Sequence, residues 1–223
     1  MFRKIHNKFG GRFIGCISGG APLDVSVGEF FERIGIKVYQ GYGLSEVSPV
    51  ASVNVDRRGD IASVGRPLKS FEAKVDSETG ELLLRGPAVM RGYHNQPEMT
   101  AEVIDSDGWL HTGDIAEIKN GGHIYITGRI KNMIVLSGGK KVFPEEVEAV
   151  LEKSPLFAEV CVLGISRTFG VKDGTEEIAA VIVPKKEMIE KYSDEELDKV
   201  IRAEVKQLST HLTAYKRPVN IVV

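Results

Sequence analysis

Within residues 12–39 a short apolar run, a helical stretch and a second apolar run follow one another, and this order constrains the fold more than any other feature. Residues 12–17 read as a strand, followed by the turn Ser18-Gly19-Gly20-Ala21-Pro22. Residues 25–34 place Val27, Phe30, Phe31 and Ile34 at helical spacing, which predicts a helix with one buried face. Gly35 closes it, and residues 36–39 read as the next strand. A strand–helix–strand unit of this length implies a parallel crossover. Residues 1–60 are therefore expected to be an α/β parallel-sheet subdomain.

From residue 61 the periodicity changes. Residues 71–75 and 81–84 are joined by Asp76-Ser77-Glu78-Thr79-Gly80, and residues 115–118 and 123–126 flank Lys119-Asn120-Gly121-Gly122. Both pairs read as hairpins, so residues 61–128 are expected to form a small antiparallel β subdomain. A third region begins near Lys131. Residues 134–136 form a strand before Ser137-Gly138-Gly139-Lys140-Lys141, and the helix opening at Pro144 has acids in its first turn. Strands at 158–163 and 178–183 precede Ser193-Asp194-Glu195-Glu196, a capping box for a helix running to about Leu212. Residues 132–223 are expected to be an α+β domain with its own core.

Composition narrows the function classes. The 223 residues are 42% hydrophobic and 27% charged with a net charge of −2, so neither nucleic acid nor an anionic membrane surface is an expected partner. No apolar run approaches the roughly 20 residues that span a bilayer, and the first eight residues contain no apolar core of a secretory signal. Cys16 and Cys161 sit in apolar β-like runs and read as reduced core residues, which points to the cytoplasm. His6, His94, His111, His123 and His211 show no metal-ligand spacing.

Three polar loops carry the chemistry. Gln40-Gly41-Tyr42-Gly43-Leu44-Ser45-Glu46 follows a strand, where α/β sheets place ligands. Tyr42 between glycines suits stacking on a purine, Ser45 offers a hydroxyl to phosphate, and Glu46 offers a hard oxygen to Mg²⁺. A tight turn with a half-buried tyrosine accounts for the same heptad. Asp114, beyond Leu110-His111-Thr112-Gly113, suits both hydroxyls of a ribose, or simply a turn entering a hairpin. Arg129 suits a charged hydrogen bond to sugar or phosphate, or plain solvation. Gly138 and Gly139 allow close approach of a thin ligand, or an ordinary β-turn. No Gly/Ser/Thr-rich phosphate loop with a lysine occurs, and no Gly-x-Ser-x-Gly elbow.

Taken together, these segments resemble the adenylate-forming superfamily of acyl-CoA synthetases, peptide-synthetase adenylation domains and luciferases. Ser18-Gly19-Gly20-Ala21-Pro22-Leu23 is similar to the family's adenine-side loop, and residues 41–46 to its Tyr-Gly-x-Thr-Glu motif, with Ser45 where threonine is usual. Gly80-Glu81-Leu82-Leu83-Leu84-Arg85-Gly86 through Arg91-Gly92-Tyr93 resembles the Gly-Glu-Leu…Gly-Tyr stretch, residues 109–114 the Thr-Gly-Asp motif, and residues 128–148 the hinge and the loop after it. The resemblance implies that Tyr42, Gly43, Gly20 and Ala21 enclose the adenine of ATP or AMP, that Ser45 touches the α-phosphate, and that Glu46 binds Mg²⁺. It further implies that Asp114 and Arg129 hold the ribose, that residues 129–131 are a hinge centred on Lys131, and that Gly138 and Gly139 meet CoA. The wording of residues 134–148 is nearest to long-chain fatty acyl-CoA ligases. The family's phosphate loop and its catalytic lysine have no counterpart here, and Lys216 precedes the lysine's expected position. The expected object is therefore a fragment of an AMP-forming acid–thiol ligase, inactive alone, whose partners are a carboxylic acid, ATP, CoA and the N-terminal part of the same enzyme. An adenylation domain serving a carrier protein, or a non-catalytic nucleotide-binding scaffold, are the alternatives.

Overall fold

The computed structural model describes residues 2–55, 60–119, 121–166 and 176–223, which form two compact units, Met1–Ile126 and Thr127–Val223. Asn120, in the loop expected to close the second hairpin, lies outside the described residues.

The first unit opens with a helix that periodicity does not predict, α1 (Arg3–Lys8). The expected crossover follows as β1 (Gly15–Ser18), α2 (Val25–Arg33) and β2 (Lys37–Tyr42). β1 and β2 are parallel, with Gly15 opposite Lys37 and Ser18 opposite Gln40. Asp24 caps α2 by accepting the N–H groups of Ser26 and Val27. At the other end Gly35 adopts φ +85°. The Gly35 and Ile36 N–H groups then return to the Glu32 and Phe31 carbonyls, the hydrogen-bond pair that ends a helix on a left-handed glycine. His6 of α1 adds a third contact by donating to the Ile34 carbonyl at 2.6 Å.

β3 (Ser52–Val53) and β4 (Arg66–Pro67) extend this sheet in the order β1-β2-β3-β4. A second sheet, ordered β5-β6-β7-β8, comprises β5 (Glu72–Val75), β6 (Glu81–Arg85), β7 (Leu110–Lys119) and β8 (His123–Arg129), with α3 (Pro97–Val103) inserted before β7. Both expected hairpins are present in it. Val47, Ala51 and Val64 share one core with Phe71, Leu82, Leu84, Leu110, Ala116 and Ile124. That shared core ties the end of the α/β segment to the antiparallel sheet.

The second unit pairs β9 (Ile134–Val135) with β10 (Lys141–Val142), then places α4 (Pro144–Leu151) before the antiparallel strands β11 (Phe157–Ser166) and β12 (Glu176–Pro184). α5 (Lys186–Lys191) and α6 (Asp194–Leu208) follow, and β13 (Asn220–Val222) closes the sheet parallel to β12. The Ser193–Glu196 capping box forms as expected. Leu197, Ile201 and Val205 of α6 pack with Val147 and Leu151 of α4 against Val162, Ile178 and Ile182. Among the described residues no helix is long and apolar enough to cross a membrane.

Two expectations are corrected. α2 buries only part of the face that its periodicity marks: Ile34, at its C-terminal end, is buried and Phe31 half-buried, but Val27 and Phe30 are exposed. Phe31 meets the ring of Phe9 edge-on, with centroids 6.4 Å apart, so the covered part of the face is the part nearest the helix's C-terminal end. Cys16 and Cys161 are free thiols and both are exposed, so neither is a core residue. Alternation along β11 explains Cys161, because Val162 takes the inward position and its neighbour must point out.

Candidate nucleotide site

The end of β2 delivers Tyr42 half-buried, paired with Ser52 of β3. The chain then turns back sharply, and a Cβ on Gly43 would lie 1.8 Å from the Pro49 carbonyl oxygen. Glycine is therefore required at position 43 by the chain's own return. Ser45, Glu46 and Val47 form a single 3₁₀ turn that buries Val47, leaves Ser45 exposed and holds Glu46 half-buried. Gly20, in the turn after β1, adopts φ +84° with open space around it, a backbone that side chains avoid.

The Tyr42 hydroxyl donates to Asp114 Oδ2 at 2.6 Å, joining residues 72 positions apart. Asp114 is 3% exposed. It reaches this position through an irregularity in the β6–β7 ladder. Glu81 pairs with Ile115 and Leu83 with His111, so β6 advances two residues (81 to 83) where β7 runs four (115 to 111). The bulge in β7 consists of Thr112, Gly113 and Asp114, and side chains satisfy its polar groups. Thr112 Oγ1 donates to the Leu82 carbonyl at 2.7 Å and accepts from the Asp114 N–H at 3.1 Å. The Gly113 N–H, on a left-handed residue at φ +72°, donates to Glu81 Oε1 at 2.8 Å. Bulges of this kind re-aim a side chain, and here the one re-aimed is Asp114.

Glu46 has a partner, Tyr93, to which the motif pattern assigns no role. The Tyr93 hydroxyl donates to Glu46 Oε1 at 2.9 Å, and Met90 N–H donates to the Glu46 carbonyl. This bond to the carboxylate, followed by burial and the Glu46 charge, pushes the Tyr93 phenol above its ordinary pKa. Among the described residues no three carboxylates, histidines or cysteines gather as a metal cage. A single hard carboxylate steadied by a phenol fits Mg²⁺ that takes its remaining ligands from phosphates and water.

The other expected residues belong to the second unit. Arg129 ends β8 and Lys131 lies in the 3₁₀ turn after it. Gly138 and Gly139 have φ +87° and +74°, and Gly139 N–H closes a turn on the Leu136 carbonyl between β9 and β10. The hairpin itself requires these glycines. Lys216 is ion-paired with Glu146 of α4.

Sequence models of two domains match: that of AMP-binding enzymes over residues 4–94, and that of the AMP-binding enzyme C-terminal domain over residues 131–220. The chain belongs to the AMP-binding enzyme family. It is 38% identical to a long-chain-fatty-acid–CoA ligase of Bacillus subtilis (strain 168), with 91% of this chain and 36% of the relative covered. It is 33% identical to a chloroplastic long-chain-fatty-acid–[acyl-carrier-protein] ligase of Arabidopsis thaliana, with 100% and 33% covered. The chain thus spans about a third of the length of these relatives. Among solved structures, the o-succinylbenzoate CoA synthetase of Bacillus subtilis in complex with ATP and magnesium ion is 27% identical, with a TM-score of 0.74 over 99% of this chain and 46% of that one.

Proposed function

We propose that this chain is the nucleotide- and thiol-handling part of an AMP-forming acyl-CoA ligase, acting on a fatty acid. The complete ligase would join a carboxylic acid to the α-phosphate of ATP, release pyrophosphate, and pass the acyl group from AMP to the thiol of CoA. The observation that carries this reading is the Tyr42–Asp114 hydrogen bond, which puts an aromatic face beside a buried carboxylate within one unit. Tyr42, with Gly20, Ala21 and Gly43, would border adenine; Asp114 would accept hydrogen bonds from the ribose hydroxyls, and Arg129 would donate to the sugar oxygens. Ser45 would donate to the α-phosphate. Mg²⁺ held at Glu46 would supply positive charge to the phosphate oxygens. In the same reading residues 1–60 and 61–128 are the two subdomains beside the nucleotide, Lys131 is the centre of the 129–131 hinge, and the 132–223 domain brings Gly138 and Gly139 to CoA.

Two further features support it. Ile14 and Ile17 are 82% and 72% exposed and Phe30 is 52% exposed, around a parallel pair of the type normally covered on both faces. Further residues of the same ligase would cover them. Free thiols at Cys16 and Cys161 suit a reducing compartment, which we take to be the cytoplasm. The test is an amide-resolved titration of the 223-residue chain with AMP and Mg²⁺. Shifts centred on Tyr42 and Asp114 that disappear in Asp114→Ala support the reading, and their absence in the wild-type chain defeats it.

The carrier-protein ligase among the relatives motivates a second reading, in which a phosphopantetheinyl carrier replaces CoA as acceptor. Supplying a complete enzyme with CoA or with a loaded carrier, one at a time, separates the two.

A further inference from the structure

We infer that Glu81 is a positioning residue of the nucleotide site, acting on the ribose through the backbone of Gly113. This rests on the nucleotide reading above and deepens it. Glu81 is 8% exposed and lies on β6, a strand that contributes no other polar group to the bulge by its side chain. A buried carboxylate on an otherwise apolar strand, Leu82-Leu83-Leu84, is costly unless its oxygens are occupied. Both are. Oε1 accepts the Gly113 N–H at 2.8 Å, and Oε2 lies 2.9 Å from His111 Nδ1, with the Asp105 carboxylate 4.0 Å from the other ring nitrogen.

The consequence follows from the ladder. Where β7 carries two more residues than β6, the Gly113 N–H has lost its backbone acceptor, and Glu81 supplies the replacement. Thr112 fixes the N–H of Asp114, and Glu81 fixes that of the residue before it, so the peptide between them is held from both sides. The direction of the Asp114 carboxylate, and with it the hydrogen bond from Tyr42, depends on that peptide. Removing the acceptor frees Gly113, a left-handed glycine with no Cβ contact to restrain it.

The experiment uses the 223-residue chain with amide-resolved spectra, the variants Glu81→Met and Glu81→Gln, and AMP beside 2′,3′-dideoxy-AMP. Glu81→Met keeps the volume and removes the acceptor, so exchange of the Gly113 amide should rise about tenfold while the ladder amides of Leu84 and Leu110 stay protected. AMP affinity should fall about tenfold and affinity for the dideoxy nucleotide less than about twofold, as expected for loss of a charge-assisted bond acting on the sugar. Glu81→Gln retains a carbonyl acceptor and should restore AMP affinity to within about threefold of wild type. Equal loss for both nucleotides, or no loss for either, overturns the role, since a merely structural residue cannot distinguish ribose from dideoxyribose. A wild-type chain that shows no response to AMP overturns the nucleotide reading and this role with it. That result is told apart from failure at Glu81 alone, in which the wild type responds and Glu81→Met responds equally.

Discussion

Tyr93 and Glu46 show how a residue outside the recognised loops sets the behaviour of one within them. Tyr93→Phe removes the donor that steadies Glu46 and leaves the ring in place. The Mg²⁺ concentration giving half-maximal nucleotide response should rise about three- to tenfold, from the loss of one charge-assisted hydrogen bond. Titrating Mg²⁺ at fixed ATP measures it, and an unchanged midpoint would show that the phenol contributes nothing. The pH dependence has a definite sign. The Tyr93 phenol is raised in the folded state, so its contribution to stability is complete below the unfolded pKa of about 10 and is lost as pH rises through the folded value. The stability gap between wild type and Tyr93→Phe should accordingly be constant near neutrality and close only in alkali.

Glu148 on α4 poses the opposite problem. Burial raises its carboxyl above the ordinary range, against the opposing effect of the Val162 N–H that it accepts at 2.8 Å, and Glu145 and Glu152 raise it further. A carboxyl whose folded pKa is raised favours the fold below its unfolded pKa and disfavours it above. Glu148→Gln keeps an acceptor for Val162 and removes the charge, so its melting temperature should exceed that of wild type at pH 7. The difference should vanish near pH 3, where wild-type Glu148 is protonated; a variant melting lower than wild type at pH 7 would contradict the argument.

Two glycines provide a contrast within the elements. Gly35→Ala meets only the edge of His6 at 3.9 Å, so it should cost the left-handed backbone alone, about 1–2 kcal/mol. Gly65, at φ +85°, has the backbone of Val53 and Asn54 2.2–2.3 Å from any Cβ. Gly65→Ala should prevent the first unit from folding, readable as loss of protection at Leu82 and Leu84 while Ile178 and Ile182 remain protected. Elements such as α2, the two hairpins and the capped α6 were legible in the sequence because their signals are local: 3.6-residue or two-residue periodicity, a cap, a turn glycine. α1 was not, having neither an apolar stripe nor a side-chain cap. The β7 bulge was also hidden, because Leu110-His111-Thr112-Gly113-Asp114 specifies a polar loop equally well and only pairing with Glu81 and Leu83 makes it part of a strand.

For the chain taken entire, exposed Ile14, Ile17 and Phe30 predict a sticky surface. The 223 residues should bind a hydrophobic dye; on the ligase reading proposed above, a longer polypeptide in which further protein covers β1 and α2 should not, and persistence of binding there would show that the face serves something else. No turnover is expected of these residues alone, since they hold no phosphate loop, and acyl-CoA formation by the purified 223-residue chain would refute this. Motif order and periodicity were enough to identify the family and the strand and helix types, because both are written in short stretches of neighbouring residues. The meeting of Tyr42 with Asp114, the pairing of Tyr93 with Glu46 and the exposure of both cysteines were settled by folding alone. Each depends on which strands become neighbours and which faces stay uncovered, and short-range pattern carries no record of either.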